Sequence, residues 1–215
     1  VSTVVDGAYF GLAEPSTGNI PPGLLGHREK SLLPLKGDIN TAKALLAEAG
    51  YPNGIDLTLD ILNKSTYNTI AQVIQANLAQ AGIRVQINIH ESGSFWVLGS
   101  EKDSDRWKDL QLLLNRFSSV PDPSYYTRWH LQNQVGIWNW ERFRSDEYDA
   151  LDQKALGEID QEKRAAMYIR MQDIMEESGC FRFITNEVAP VVCRKTVIPG
   201  LRPDGTPLLR KFKKA

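Results

Sequence analysis

The side chains most able to bind a metal or act as nucleophiles are three histidines and two cysteines, and neither set is grouped for that chemistry. His27, His90 and His130 are scattered, and none has a second His or Cys at metal-ligand spacing. Cys180 has no His near it in sequence, so nothing indicates an activated thiol. Paired carboxylates such as Asp146-Glu147 fall in predicted helices, where a solvated helix surface explains them. We therefore expect no catalytic residue, no metal site and no cofactor.

Longer motifs and the overall charge narrow the function further. The sequence has no glycine-rich phosphate loop ending in Gly-Lys-Ser/Thr, no dinucleotide fingerprint and no Gly-x-Ser-x-Gly elbow. A net charge of -1 over 215 residues gives no basic excess, so we expect no nucleic-acid partner. The apolar runs are far shorter than the roughly 20 residues that a membrane span needs. An α/β enzyme whose catalytic groups converge from distant positions stays an alternative, but no motif indicates one.

The two cysteines allow two interpretations. In an oxidising compartment Cys180 and Cys193 could form a disulfide that closes a short loop. The alternative is two separate buried thiols. The sequence alone leaves both open.

The most unusual stretch runs from Ser118 to Phe143, where aromatic residues are dense and periodicity is weak. Its rings belong to Tyr125, Tyr126, Trp129, His130, Trp138, Trp140 and Phe143. Aromatic side chains in a loop after a buried strand can form the walls of a pocket for a small organic ligand. The loop after such a strand is also where open α/β sheets bind ligands. Most of these rings can equally be core or rim packing, so we expect one or two to contact a ligand.

The elements that must position this stretch are clearest between Asp38 and Ile89. Asp38 is a predicted N-cap, and the helix after it places Ala42, Leu45, Leu46 and Ala49 on one face, which we expect to be buried. Alternating apolar residues predict strands over residues 55–61 and 83–89. Between them, helical spacing of Ile70, Val73, Ile74, Leu78 and Ala81 predicts a helix that ends at Gly82. A strand, a helix of about four turns and another strand form a crossover unit, so the two strands should be parallel.

The remaining chain predicts fewer regular elements. Residues 1–35 are rich in Pro and Gly and predict an extended loop without regular structure. Residues 110–117 predict a strand buried on both faces in the middle of a parallel sheet. One helix should begin after Ser145 and a second near Asp160, ending at Gly179. Residues 181–194 have strand character, and Pro190 suggests an edge or a break.

Two segments closely resemble a known family. Residues 38–56 (DINTAKALLAEAGYPNGID) and residues 70–85 (IAQVIQANLAQAGIRV) are similar to the family 5 bacterial extracellular solute-binding proteins, the dipeptide-, oligopeptide- and nickel-binding components of ABC importers. The Asp122-Pro123 pair and the late helix, with Arg164, Tyr168 and Gln172, fit the same family. The resemblance covers nearly the whole chain.

The resemblance implies a fold, an organisation and a function. The fold is α/β, a periplasmic-binding-protein-like lobe with a mostly parallel sheet flanked by helices. Residues 1–177 would form the second lobe of a two-lobed protein, and residues 178–215 would cross back towards the first lobe. The protein would be a monomer that binds a peptide or other small solute in the cleft between lobes. It would deliver this solute to a membrane permease, in the periplasm or at the cell surface. A sensor or chaperone-like relative without transport is an alternative.

The resemblance also places the ligand contacts. The sheet should hold residues 116–140 at the cleft, and the residues expected to contact ligand are Arg116, Ser118, Ser119, Asp122, Trp138, Asn139 and Trp140. Peptide-binding relatives carry an aspartate four residues before the Pro of the Asp-Pro pair, where it neutralises the peptide amine. Ser119 occupies that position here and cannot supply the charge. The serine at this position argues against a simple peptide with a free amine as the ligand, unless Asp122 or a residue of the first lobe supplies the negative charge instead. Arg116 indicates an anionic or sugar-like ligand as the alternative.

Overall fold

The computed structural model describes residues 1–117, 120–187, 191–202 and 205–215. Its helices and strands follow in the order α1 (Ser2–Tyr9), β1 (Glu14–Pro15), α2 (Ile39–Glu48), β2 (Ile55–Leu62), α3 (Ser65–Gln80), β3 (Ile83–His90), α4 (Ser92–Phe95), β4 (Leu112–Leu114), α5 (Ser124–Thr127), α6 (Asp146–Gly157), α7 (Gln161–Glu177), β5 (Thr185–Asn186), β6 (Val197–Ile198) and β7 (Lys213–Lys214). Over these ranges, no helix combines the length and apolar character that a membrane crossing requires.

The central sheet confirms the predicted crossover unit. β2 and β3 pair in parallel over eight positions, from Ile55 opposite Ile83 to Leu62 opposite His90. β4 pairs in parallel with the other side of β2, so the strand order is β3-β2-β4. The prediction for β4 was partly wrong, because its strand has only three residues and lies at an edge of this sheet. Leu114 is buried, whereas Leu112 and Leu113 are half-buried, since no further strand covers that edge within the described ranges.

One hydrophobic core lies between this sheet and the helices on it. α3 contributes Tyr67, Ile70 and Ala71, which are buried against apolar residues of β2, β3 and β4. α1 packs against α3 and buries Val4 and Val5. The prediction of an irregular segment over residues 1–35 was therefore wrong for residues 2–9. A short helix becomes stable there because its apolar face is covered by α3, a tertiary contact that the local sequence does not reveal.

A second hydrophobic core lies between α6 and α7. Tyr148, Ala155, Tyr168 and Met171 are fully buried in it, together with Ile20 from the N-terminal segment. Both helices begin as predicted: the Ser145 hydroxyl accepts a hydrogen bond from the Tyr148 N–H, and Asp160 accepts from the N–H groups of Glu162 and Lys163.

Buried polar contacts fasten the N-terminal segment to α7. The Arg28 guanidinium pairs with Asp173 at 2.7 Å and also with the buried carboxylate of Glu176. Gln172 is fully buried; its Oε1 accepts a hydrogen bond from the Ile20 N–H at 3.0 Å, and its Nε2 donates to the Gly26 carbonyl at 2.8 Å. A Cβ atom added at Gly18 would overlap Gln172 Oε1, so a glycine is needed for this close approach.

The prediction for α2 was correct for the helix and wrong for its burial. Asp38 caps α2 by accepting hydrogen bonds from the N–H groups of Asn40 and Thr41. None of the α2 residues is buried, however, and Leu45 is 59% exposed. Within the described ranges, no element lies over the apolar face that the spacing predicted.

The last part of the chain contains less strand than predicted. In the described part of residues 181–194, only Thr185–Asn186 form a strand, which pairs antiparallel with β1, while Pro190 lies outside the described residues. β6 and β7 form a separate antiparallel pair. Val192 is 97% exposed and Leu209 is 79% exposed, so this region leaves large apolar side chains in solvent.

Candidate ligand-binding site

The candidate site lies at the carboxyl ends of the three parallel strands. The chain runs from β2 to β3 on one side of the sheet and then crosses to β4 on the other side of β2. The connections therefore diverge between β2 and β4, which makes a topological switch point. Open α/β sheets bind ligands in the crevice at that point, outside the carboxyl ends of the strands. Arg116 follows β4 there, and Tyr67 lies in the first turn of α3, which follows β2.

Arg116 forms an ion pair with a residue from the far end of the chain. Its Nη1 lies 2.7 Å from Oε2 of Glu187, the residue that follows β5. The Arg116 side chain is 52% exposed and that of Glu187 is 26% exposed. The Tyr9 hydroxyl, at the end of α1, donates a hydrogen bond of 2.6 Å to Glu187 Oε1. Side chains that are more than 100 residues apart in sequence therefore meet in one polar cluster.

Tyr9 in this cluster, and Tyr67 within range of its charges, keep their protons. Burial and the hydrogen bond to the Glu187 carboxylate raise the pKa of Tyr9 well above its usual value. Burial also raises the pKa of Tyr67, the Glu187 charge adds to that effect, and the Arg116 charge opposes it. Both phenols are therefore neutral near pH 7, and the Tyr9 hydroxyl is a permanent donor to Glu187.

Asp122, a predicted ligand contact, is held by groups of its own chain. Its Oδ1 accepts hydrogen bonds from the N–H and the hydroxyl of Ser124, at 3.0 and 2.6 Å. Its Oδ2 lies 3.2 Å from Nη2 of Arg164 on α7. Burial alone would raise the pKa of Asp122, but the Ser124 and Arg164 contacts outweigh burial and lower it. The carboxylate therefore stays charged and joins α5 to α7.

Trp138 lies on an aromatic surface that also carries a cation. Its ring meets that of Trp129 edge to face at 5.8 Å, and the Arg128 guanidinium lies 4.4 Å from the Trp129 ring and 4.6 Å from the Tyr125 ring. Trp138 is 43% exposed. It lines an open cavity of about 420 Å³ together with Trp96, and the lining includes neither Arg116 nor Asp122.

Asn139 and Trp140, also predicted ligand contacts, are buried in the loop. The Asn139 amide is fully buried; its Nδ2 donates to the carbonyls of His130, Leu131 and Phe143, and its Oδ1 accepts from the Phe143 N–H. Trp140 is 8% exposed and its Nε1 donates to the Ile137 carbonyl at 2.9 Å. Both residues hold the loop, and their contact with a ligand stays a prediction. The predictions for Ser118 and Ser119 lie outside the described residues.

Both cysteine alternatives were wrong. Cys180 and Cys193 are free and exposed, so they form neither a disulfide nor a pair of buried thiols. Each sulfur contacts a nearby carbonyl instead, Cys180 Sγ that of Ser178 at 3.8 Å and Cys193 Sγ that of Val197 at 3.4 Å. Both thiols lie in connecting segments, Cys180 between α7 and β5 and Cys193 between β5 and β6.

The described residues offer no group of three or more His, Cys, Asp or Glu side chains that could hold a metal ion. The His130 side chain is packed among aromatic rings. It is 2% exposed and lies between the rings of Phe117 and Phe181, with centroid distances of 5.2 and 4.9 Å. Glu141 is its nearest carboxylate, with Oε2 3.9 Å from Nδ1.

The sequence did not single out Tyr9, Tyr67 or Glu187. Tyr9 falls in a segment predicted to be irregular, Tyr67 precedes Ile70, the first residue used to predict the second helix, and Glu187 falls in a stretch interpreted only for its strand character. The contact between Tyr9 and Glu187 accompanies the pairing of β1 with β5, which brings residues 14–15 next to residues 185–186. Each of these strands has only two residues, too few for a recognisable period.

The chain also matches a model of a known protein family. Residues 1–137 match the model described as "Bacterial extracellular solute-binding proteins, family 5 Middle". The match spans well over half of the chain, so the protein belongs to this family of solute-binding proteins.

Individual relatives agree with this assignment. The chain is similar to the glutathione-binding protein GsiB of Shigella flexneri, with 40% identity over 87 residues, which are 40% of this chain and 17% of the relative. It is also similar to GsiB of Shigella dysenteriae, with 28% identity over 92% of this chain and 39% of the relative. The chain thus spans well under half the length of these relatives.

Solved structures show the same fold. DppA of Helicobacter pylori, an ABC transporter-associated periplasmic binding protein in complex with the peptide STSA, superimposes with a TM-score of 0.73 and 26% identity, over 86% of this chain and 36% of that one. HbpA2 of Haemophilus parasuis gives a TM-score of 0.82 at 23% identity, over 100% of this chain and 42% of that one. The α/β fold with a parallel sheet flanked by helices is therefore that of a periplasmic binding protein.

Proposed function

We propose that this chain is part of the substrate-binding component of an ABC importer, and that its solute is a short peptide. The observation that carries the proposal is the polar cluster of Arg116, Glu187 and Tyr9 at the switch point of the sheet. An exposed ion pair with a hydroxyl donor suits a ligand that is itself charged and polar. Family membership and the relatives named for glutathione and peptide binding support the same class of solute.

The family resemblance implies a two-lobed protein. We propose that residues 1–177 form most of one lobe and that residues 178–215 cross towards another lobe. Exposed apolar side chains such as Val192 and Leu209 are compatible with a further covering surface. The solute would bind in the cleft between lobes, where closure by a hinge motion removes it from water.

The remaining features of the proposal follow from the same class of protein. The protein would work as a monomer in the periplasm or at the cell surface, hand its solute to a membrane permease and carry out no chemistry on it. It would need no cofactor and bind no nucleic acid. The proteins it resembles are solute-binding proteins and not enzymes.

Titration calorimetry on the protein purified from its host tests the proposal directly. We expect one molecule of glutathione or of the tetrapeptide Ser-Thr-Ser-Ala to bind per molecule of protein, without turnover of the peptide. Absence of binding to either peptide, or hydrolysis of the bound peptide, would contradict it. Hydrolysis lost on changing Cys180 or His130 would favour the enzyme alternative.

Uptake of the labelled peptide by the host separates transport from sensing. Deleting the gene should abolish high-affinity uptake if the protein feeds a permease. Unchanged uptake together with a lost transcriptional response would instead favour the sensor.

A further inference from the structure

We propose that residues 191–215 form a basic ribbon that docks this protein onto an anionic lipid surface. The inference goes beyond the proposed function, because it concerns how the protein meets a membrane and does not depend on which solute it binds. Two observations carry it: the separation of charge along the chain, and the hydrogen-bonded backbone that holds the cations.

The charges of this chain are strongly segregated. Residues 191–215 contain seven Lys and Arg residues and a single acidic residue, Asp204, which gives a net charge of +6. Residues 1–190 contain 18 basic and 25 acidic residues, which gives a net charge of -7. The overall net charge of -1 therefore combines two regions of nearly equal and opposite charge. Such an asymmetry indicates a negatively charged partner for the basic region.

The cations of the basic ribbon are held on an ordered backbone. β6 and β7 pair antiparallel, so two of the lysines lie in a strand. The Ala215 N–H extends this pairing by donating to the Thr196 carbonyl at 2.9 Å. The Leu208 N–H donates to the Gly200 carbonyl at 2.8 Å and closes the connecting segment. The basic side chains are therefore carried by a hydrogen-bonded ribbon.

Six of the basic side chains are exposed and have no counter-ion in the protein. Among the residues that the structure describes, none forms an ion pair or a hydrogen bond with these six side chains. They are Arg194, Lys195, Arg210, Lys211, Lys213 and Lys214. Arginines of the remaining chain differ, because Arg28, Arg116 and Arg170 are each paired with a carboxylate. The charges of the ribbon are thus available to an external partner.

An anionic lipid surface fits these cations better than a single acidic site on a protein. Four of the six are lysines, which are point charges on flexible stems and lack the fixed fork of a guanidinium. Lipid headgroups move within a fluid layer and can meet charges that have no fixed geometry. Each Lys or Arg that lies near an anionic membrane strengthens attachment about fivefold, so several together give stable docking.

The acidic remainder of the chain would orient the docked protein. An anionic surface attracts the ribbon and repels residues 1–190, whose net charge is -7. The ribbon therefore faces the lipid while the rest of the protein stays in solution. This orientation would hold the protein close to the membrane permease of the proposed function.

Flotation of the purified full-length protein with lipid vesicles tests the proposal. One set of vesicles is pure phosphatidylcholine, and in the other phosphatidylglycerol replaces about a third of it. We expect binding to the anionic vesicles to be at least about tenfold stronger than to the neutral ones. Raising NaCl from about 0.05 M to about 0.5 M should release most of the protein, because salt screens the attraction. Sodium phosphate at matched ionic strength should release no more than NaCl does.

Variants that remove charge from the ribbon should weaken binding according to the number of charges removed. The triple variant Lys195→Gln, Lys213→Gln, Lys214→Gln should bind anionic vesicles about tenfold or more weakly than wild type. The double variant Arg210→Gln, Lys211→Gln should lose less, because it removes two charges. Glutamine keeps the backbone hydrogen bonds of the ribbon and most of the side-chain length.

A matched control removes the same charge outside the ribbon. Lys36, Lys43 and Lys154 are also exposed. The triple variant Lys36→Gln, Lys43→Gln, Lys154→Gln should bind anionic vesicles at least as well as wild type does.

Four outcomes would overturn the proposal. The first is no binding to the anionic vesicles, and the second is an equal loss in the ribbon and control triple variants. The third is a loss in Lys213→Gln alone as large as that in the triple variant, which would show one specific site. The fourth is release by phosphate well beyond that by NaCl, which would show a discrete phosphate site. Calorimetry with the peptides tests the proposed function separately, so failure of either leaves the other standing.

Discussion

Two arginine–glutamate pairs join distant parts of this chain in very different surroundings. Arg28 and Glu176 have side-chain exposures of 5% and 1%, whereas Arg116 and Glu187 have exposures of 52% and 26%. The buried Glu176 also accepts hydrogen bonds from the Ser31 hydroxyl at 2.7 Å and the Leu32 N–H at 2.9 Å. The exposed pair has only Tyr9 as a further partner among the hydrogen bonds found within the described ranges. Similar chemistry is therefore enclosed by the structure in one place and left open to solvent in the other.

The largest effect should come from breaking the buried pair. Glu176→Gln leaves the buried Arg28 with a weaker set of partners and should lower the free energy of unfolding by about 3 kcal/mol. This is the lower end of the range for buried pairs, because Asp173 still contacts Arg28. Urea denaturation measures it. Glu187→Gln is the matched control and should change stability by less than about 1 kcal/mol. Equal losses of unfolding free energy in Glu176→Gln and Glu187→Gln would show that burial does not separate the two pairs.

A second test crowds the buried pair without changing a charge. In Gly18→Ala the new methyl group would overlap Gln172 Oε1 and approach the Arg28 guanidinium, whose Nε lies 3.6 Å away. The network must shift, so we expect a loss of about 1–3 kcal/mol in thermal or urea unfolding. Gly37→Ala provides the control, because nothing lies within 4 Å of a Cβ added there. A neutral Gly18→Ala variant would show that the network around Gln172 yields easily.

The pH dependence of stability should also differ between the two pairs. Burial alone would raise the pKa of Glu176, but Ser31, the Leu32 N–H and Arg28 outweigh burial and lower it. A carboxyl whose pKa is lower in the folded state stabilises that state above its unfolded pKa, and the stabilisation is lost as pH falls through the folded value. The stability difference between wild type and Glu176→Gln should therefore be full near pH 7 and shrink towards pH 3. Denaturation at several pH values tests this, and a constant difference would contradict it.

The smallest effect on stability should come from a third pair that is also exposed. Arg84 and Asp56 have side-chain exposures of 55% and 79% and lie 2.6 Å apart at the amino ends of β3 and β2. Arg84→Gln should change the free energy of unfolding by less than about 1 kcal/mol in low salt and by less still in high salt. A larger change would mean that exposure alone does not separate the pairs.

Local patterns were sufficient to predict the elements that have strong periodicity and clear ends. β2, α3 and β3 were predicted closely, and the caps Asp38, Ser145 and Asp160 marked the starts of their helices. The burial of α2 could not be predicted, because a spacing shows that a helix has an apolar face but not that another element covers it. α1 and the short β1–β5 pairing were missed because they depend on contacts between distant segments.

The ligand contacts stay predictions, and the partners of the predicted site residues could not be foreseen for the same reason. Arg116 was identified by its place after a buried strand, but its partner Glu187 is 71 residues further along the chain. Asn139 was identified by residue type within an aromatic segment, and its amide is consumed by the loop itself. Residue type and sequence neighbourhood can suggest that a polar side chain contacts a ligand, but they do not reveal which of its hydrogen-bonding groups are already used within the protein.

The attachment of the N-terminal segment to α7 also sets an order of folding. The unit of β2, α3 and β3 is local in sequence and can form as soon as it is synthesised. Arg28, in contrast, leaves the ribosome 148 residues before Glu176. Contacts of such long range form slowly, since the entropy of closing the intervening loop must be lost first. Residues 16–32 therefore leave the ribosome early and reach their native partners among the last.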